Sequence, residues 1–201
     1  MEDLSPMQQL EIYIQGMSGM SPEAFELSVP YWQLKTYKKG EFYNEYKNVC
    51  RHLGFVLSGI FRIYKYEELK QTEKNMLFFT SGQLMTSYRS FLNQVACEYF
   101  TESMTASEVL YIHHEQLQQL YKESHEWERF GRIYTERVLD GLLHHTETQL
   151  FLTPEERYTM LLQQHPDVAS NVPLYHIASY LGIEGPSLSR IRKRMQQAAA
   201  K

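Results

Sequence analysis

Near the end of the sequence three cations, Arg190, Lys193 and Arg194, recur at i, i+3 and i+4, so on a helix they share one side. Two short hydroxyls, Ser187 and Ser189, stand beside them. Arginine meets base edges with a planar fork, lysine meets phosphate as a point charge, and a hydroxyl serves either. The chemistry of such a set is recognition of a polyanion, with no bond made or broken. The residues upstream say how the set is presented. Counting Leu174 as position one, Ala178 falls at five, Gly182 at nine, Leu188 at fifteen and Ile191 at eighteen. This is helix-turn-helix spacing: a small residue lets the helices approach, a glycine takes the left-handed turn, and apolar residues fill the space between. Ile177, Leu181 and Ile183 supply the rest of that filling. The second helix then offers Ser187, Ser189, Arg190, Lys193 and Arg194 as candidates to meet double-stranded DNA.

Other chemistries find less support. His113-His114 and His144-His145 invite a metal or haem, but neighbours on a strand point to opposite faces and neighbours on a helix diverge by about 100°. They read as surface or core histidines, and no metal site is assigned. Cys50 and Cys97 are too few for a four-thiolate cluster, and Cys97 reads as an ordinary buried thiol. The carboxylates are scattered, no pair has acid–base spacing, and no Gly-x-Ser-x-Gly or phosphate-loop motif appears, so no catalytic residue is assigned. No cofactor is implied.

The charge balance agrees with a division of labour. The chain has 201 residues, 20 Lys/Arg and 24 Asp/Glu, for a net charge of −4. Five of those bases and one acid, Glu184, lie in residues 171–201, a net of +4, which leaves −8 on the first 170 residues. A basic segment on an acidic body suggests that the two have different tasks. Hydrophobic residues make up 43% and aromatic residues 13%, a globular composition. No apolar run approaches the ~18 residues of a membrane span. Met1-Glu2-Asp3-Leu4 has neither the basic nor the apolar part of an export signal. A cytoplasmic protein with reduced thiols and no membrane partner is expected.

Around the motif, four kinds of element are expected. Residues 1–30 read as helical, with Ser21-Pro22-Glu23 as a helix start. Residues 32–113 read as short strands, aromatic-rich and alternating (Phe55, Leu57; Phe61, Ile63; Met76, Phe78; Val109, Tyr111), which suggests a sandwich or barrel whose aromatics are core and edges. Residues 115–150 read as one long helix with Phe130, Tyr134, Val138 and Leu142 on an apolar stripe, for which a second copy of the chain is the economical partner. Thr153-Pro154-Glu155-Glu156 is a capping box opening a helix that ends at Gln164-His165-Pro166, and Asp167 to Asn171 reads as linker. Arg157-Tyr158 reads as structural, tying that helix to its neighbours.

With these elements in order, the sequence resembles the Crp/Fnr regulators, from about residue 25 to 195. The matching stretches are Phe55-Val56-Leu57-Ser58-Gly59-Ile60-Phe61-Arg62, Glu156-Arg157-Tyr158, Ile177 to Ile183, and Leu188-Ser189-Arg190-Ile191-Arg192-Lys193; the last two look closest to the Bacteroidetes-type branch. The resemblance implies an α+β protein. Residues 1–114 form a β jelly-roll sensor of cyclic-nucleotide-binding type with N-terminal helices, 115–150 the dimerisation helix, and 151–201 a winged helix-turn-helix. Few residues follow Met195, so any wing precedes the motif or is minimal, and a two-stranded wing between Val168 and Pro173 is short. The implied function is transcription regulation as a homodimer on a palindromic site, with Arg190 reading a base. The family setting also leaves room for a small-molecule effector and RNA polymerase as partners.

The sequence departs from the family pattern at the effector cassette. Cyclic-nucleotide members carry Gly-Glu and, later, Arg-Ser/Thr; the aligned positions here are Thr86-Ser87 and Cys97-Glu98, with Arg89 as a substitute cation. A buried phosphate without a cation is costly, so no tight cyclic-nucleotide binding is expected. Thr86, Ser87, Arg89, Cys97 and Glu98 remain the candidate effector-pocket residues, and the effector itself is unassigned. The recognition helix opens with Glu184-Gly185-Pro186, where Glu184 is unfavourable beside DNA and the next two residues bring no side-chain donors to bases. A module of the same fold that has lost specific DNA binding is therefore the alternative.

Overall fold

The computed structural model describes residues 4–69 and 71–199. Two helices open the chain, α1 (Pro6–Ser18) and α2 (Pro22–Glu26). Ser5 and Gln8 form a reciprocal capping box on α1, and Gly19 ends it at φ 65°. A 3-10 turn at Val29–Tyr31 leads into the strands.

Eight strands follow: β1 (Gln33–Tyr37), β2 (Phe42–Asn44), β3 (His52–Ser58), β4 (Ile60–Glu67), β5 (Thr72–Thr80), β6 (Gln83–Met85), β7 (Phe100–Ser103) and β8 (Ser107–His113). They form two four-stranded antiparallel sheets, β1-β8-β3-β6 and β2-β7-β4-β5. The expected β jelly roll is present, interrupted by the short helix α3 (Tyr88–Asn93) between β6 and β7. The β3–β4 turn needs Gly59 at φ 93°, where an added Cβ would sit 1.9 Å from the Ser107 hydroxyl.

The long helix of residues 115–150 is two helices, α4 (His114–Glu123) and α5 (His125–Phe151), because Ser124 is extended at φ −140°, ψ 119°. They pack closely at Gly131, where a Cβ would come within 2.7 Å of the Tyr121 ring. The first turns of α5 are fastened to the N-terminal helices: Ser21 donates to Glu126 through both its backbone N–H and its hydroxyl, and the Trp127 indole donates to the Ala24 carbonyl at 2.8 Å.

This fastening corrects one expectation. Phe130 was assigned to a surface facing a second copy, but it is fully buried within its own chain, edge-on to Trp127 at 5.2 Å. Tyr134 and Val138 are half-buried. The large apolar residues that α5 turns outward are Leu139 (58% exposed), Leu142, Leu143, Leu150 (71%) and Phe151 (79%).

The last segment is all helix: α6 (Pro154–Gln164), α7 (Pro166–Asn171), α8 (Leu174–Tyr180) and α9 (Gly185–Ala199). The Thr153–Glu156 capping box forms as expected. The expected linker over 167–171 is instead helix α7, with Pro166 at its first position and bonds from Ala169 N–H to His165 and from Val172 N–H to Val168. That helix occupies the stretch where a short wing was expected, and among the described residues there is no strand after His113. Leu161, Val168, Ile177, Leu181, Leu188 and Ile191 close a second core, which Ile60, Phe78 and Met104 of the jelly roll join.

Candidate functional site

Among the described residues, the candidate binding residues gather in two places: the outer side of α9 and a cavity between the jelly roll and α5. The α8–α9 turn takes the form its spacing implied. Gly182 sits at φ 69°, Ile183 N–H reaches the Ala178 carbonyl at 3.0 Å, and Ala178 is buried between the helices. Leu188 and Ile191 point inward, which turns Ser189, Arg190, Lys193 and Arg194 outward, with Ser187 half-buried. Lys193 projects freely, whereas Arg190 folds back to the Pro186 carbonyl at 3.3 Å. Arg194 is paired with Glu155 of α6 at 2.6 Å, which ties one of the five candidate residues to its own domain.

The inner side of α8 docks on the β2-β7-β4-β5 sheet through a polar network. Arg62 of β4 is only 4% exposed and is held by Glu73 and Glu102, each at 2.5 Å. Burial opposes its charge, but those two carboxylates more than restore it and leave its pKa raised. The guanidinium also stacks on Tyr64 and donates to the His176 Nδ1 of α8 at 2.8 Å. Because Nδ1 accepts there, His176 is neutral; burial, then the facing Arg62, lowers its pKa to about 4. Ser179, one turn on, donates to the Glu73 carbonyl at 2.8 Å and accepts from Asn75 N–H at 3.0 Å.

β5 can serve α8 because its register slips. Ile63 pairs with Leu77 but Tyr64 pairs with Asn75, so Met76 is an extra, bulged residue. Strict alternation from Leu77 and Phe79 would put Asn75 on their face. The bulge turns it to the other, where it meets His176 and where Phe78 packs on Tyr180 at 5.3 Å.

Leu77 and Phe79, on the opposite face, line a cavity of about 430 Å³ closed on its far side by Tyr134, Arg137, Val138 and Leu142 of α5. All five candidate effector residues, Thr86, Ser87, Arg89, Cys97 and Glu98, line it too. Their polar groups are largely occupied: Thr86 donates to the His52 carbonyl at 2.9 Å, Ser87 bonds Thr101 at 3.1 Å, and Glu98 faces Lys65 at 3.3 Å and Arg89 at 3.8 Å.

Arg62 and Ser179 fall inside matched stretches, and Tyr134, Val138 and Leu142 on the apolar stripe, but those patterns do not mark the first two as docking residues or α5 as a cavity wall. A hint lies in Arg62 itself, a lone cation inside the apolar run from Ile60 to Tyr64. Among the histidines, His113 lies against His52 at 4.4 Å and His145 against Tyr180 at 5.5 Å. Among the described residues no cluster of three or more His, Cys, Asp or Glu side chains could hold a metal ion, and no helix is long and apolar enough to cross a membrane.

No family model matches the sequence, and no curated protein matches it by sequence. The folded chain does match solved structures. FixK2 from Bradyrhizobium japonicum superposes with a TM-score of 0.72 at 17% identity, covering 84% of this chain and 86% of that one. A transcriptional regulator from Eubacterium rectale, assigned to the Crp/Fnr family, gives 0.67 at 15% identity over 92% and 88%. The chain has the Crp/Fnr regulator fold. The c-di-GMP-responsive global regulator CLP of Xanthomonas campestris also shares it, with a TM-score of 0.64 at 20% identity over 89% of this chain and 93% of that one. In this fold the cavity lies against the jelly roll, and α8, the Gly182 turn and α9 have helix-turn-helix geometry.

Proposed function

We propose that this protein is a DNA-binding transcription regulator of the Crp/Fnr type. It acts as a homodimer on a palindromic site and answers to an effector other than a cyclic nucleotide. Residues 1–114 are the sensor, 115–150 the dimerisation segment and 151–201 the DNA-binding domain. The observation that carries this reading is α9, whose inner face is locked by Leu188 and Ile191 while Ser189, Arg190 and Lys193 stand in solvent. The outward leucines of α5 supply the surface for the second copy. The rejection of cyclic nucleotides rests on the cassette, where Thr86-Ser87 and Cys97-Glu98 stand in place of Gly-Glu and Arg-Ser/Thr and Glu98 faces Arg89 at 3.8 Å.

Two titrations test it. Fluorescence anisotropy on palindromic duplexes should show binding that weakens steeply as salt rises, since each neutralised phosphate releases counterions. Calorimetry with cyclic AMP should show no micromolar binding, and a micromolar site would overturn the effector assignment. Glu184 at the start of α9 and the Arg194–Glu155 pair favour a second reading, a sensor module that no longer binds DNA. Absence of salt-dependent binding to any duplex would select that reading.

A further inference from the structure

We propose that the sensor cavity takes a small amphipathic monocarboxylate, an aromatic or short acyl body carrying one carboxylate that Arg137 binds. The proposal deepens the effector-regulated reading and rests on it for the cavity's purpose, though not for its chemistry. At about 430 Å³ the space lies in the range of small-molecule sites. Its walls are hydrocarbon where β4 and β5 supply Ile63, Leu77 and Phe79 and α5 supplies Val138 and Leu142, so the body of the occupant is apolar.

The polar groups decide the rest. The hydroxyls of Thr86 and Ser87 are bonded to His52 and Thr101, so they offer little to a sugar. Arg89 is shared with Glu98, whose carboxylate at the rim repels a second negative charge. Two groups remain. Among the described residues, neither the Arg137 guanidinium nor the Tyr134 hydroxyl has a hydrogen-bond or ion-pair partner in the chain, and both line the cavity. They stand three residues apart on α5, so they share a face. Burial and neighbouring tyrosines hold the Tyr134 phenol far above its usual range, so it stays protonated and can donate. A guanidinium fork and a phenolic donor on the same helical wall of the cavity match a carboxylate, and one unpaired cation matches one charge.

Octanoate and 3-phenylpropanoate serve as probes, titrated calorimetrically into the intact protein without DNA, with octanamide and cyclic AMP as comparisons. The acids should bind at least tenfold more tightly than octanamide. Arg137→Gln should remove that advantage while leaving the amide unchanged, and Arg137→Lys should restore part of it. Val138→Phe, which narrows the cavity, should weaken acid and amide together. Thermal unfolding of each variant confirms that it is folded; Arg137 is an exposed side chain. Equal binding of octanoate and octanamide, no binding of any acid at millimolar concentration, or an acid affinity unmoved in Arg137→Gln would each overturn the proposal. Because these titrations contain no DNA, their failure leaves the duplex-binding result to judge the regulator reading separately.

Discussion

Acid should unlock α8 from the jelly roll at one identifiable group, His176. Its Nδ1 accepts from Arg62 at 2.8 Å, the Asn75 amide lies at 3.3 Å, the Tyr175 ring packs on it, and Glu73 stands at 3.9 Å. Protonation at Nδ1 would break the Arg62 bond and bring two cations together. The pKa is accordingly lowered from 6.5 to about 4. For a base whose folded pKa is depressed, the unfolded chain takes up the proton first. Stability is therefore intact above pH 6.5 and is lost as pH falls toward 4. The linkage amounts to about 2 kcal/mol at pH 5 relative to pH 8, rising to about 3 kcal/mol near pH 4. His52 is also lowered to about 4 and adds its own acid sensitivity, so the reading must be differential. His176→Asn keeps an acceptor near the Nδ1 position but cannot titrate. Urea unfolding followed by far-UV circular dichroism at pH 8 and pH 5 should show wild type losing about 2 kcal/mol more than the variant. Equal losses in the two proteins would refute the reasoning, as would a His176 pKa of 6.5 or above measured by NMR titration.

Four other outcomes follow from the geometry. Arg190→Ala should cost about 1–3 kcal/mol on a cognate duplex and relax specificity at one base pair, whereas Lys193→Ala should weaken all duplexes alike and flatten the salt dependence, both read by anisotropy. On the homodimer reading, Leu139→Asp with Leu143→Asp puts charge on the outward face of α5 and should leave the protein sedimenting as a monomer, where wild type sediments as a dimer, without melting the jelly roll. Ser179→Ala strips partners from Asn75 N–H and the Glu73 carbonyl, a loss of about 1–2 kcal/mol visible in denaturant unfolding. Thr153→Ala opens the capping box of α6 and should cost about 1 kcal/mol in the same measurement.

The parts of the molecule legible in the sequence are those where a local rule acts alone. The Thr153 capping box, the Gly182 turn and the inward positions of α8 and α9 need only neighbours within a few residues. The strands of a sandwich or barrel were visible because turn glycines and alternating aromatics mark them one at a time, whereas the jelly-roll form came from the family resemblance. What stayed hidden depends on contacts far along the chain. Phe130 looks like a member of an outward stripe until α1 and α2 are folded over it through Ala24 and Ser21. Ser124 breaks the long helix without the proline or glycine that would announce it. At the cavity, the cassette pattern marks the five residues on the jelly-roll side. Tyr134 and Arg137 come from α5 and join them only through tertiary packing. Arg62 illustrates the same limit: its partners Glu73, Glu102 and His176 are 11, 40 and 114 residues away.

β5 ends its sheet, so its outer row of amide and carbonyl groups is a template on which another strand could grow. In the intact chain that row is blunted by something that is not a strand: the Ser179 hydroxyl of α8 bonds Asn75 N–H and the Glu73 carbonyl. Helix α8 thus occupies part of an edge on which a further strand could otherwise pair. A fragment ending near residue 150 would bare that edge together with the buried ring of Phe78. Such a fragment should gather into strand-paired oligomers, and Asn75→Lys should keep it apart.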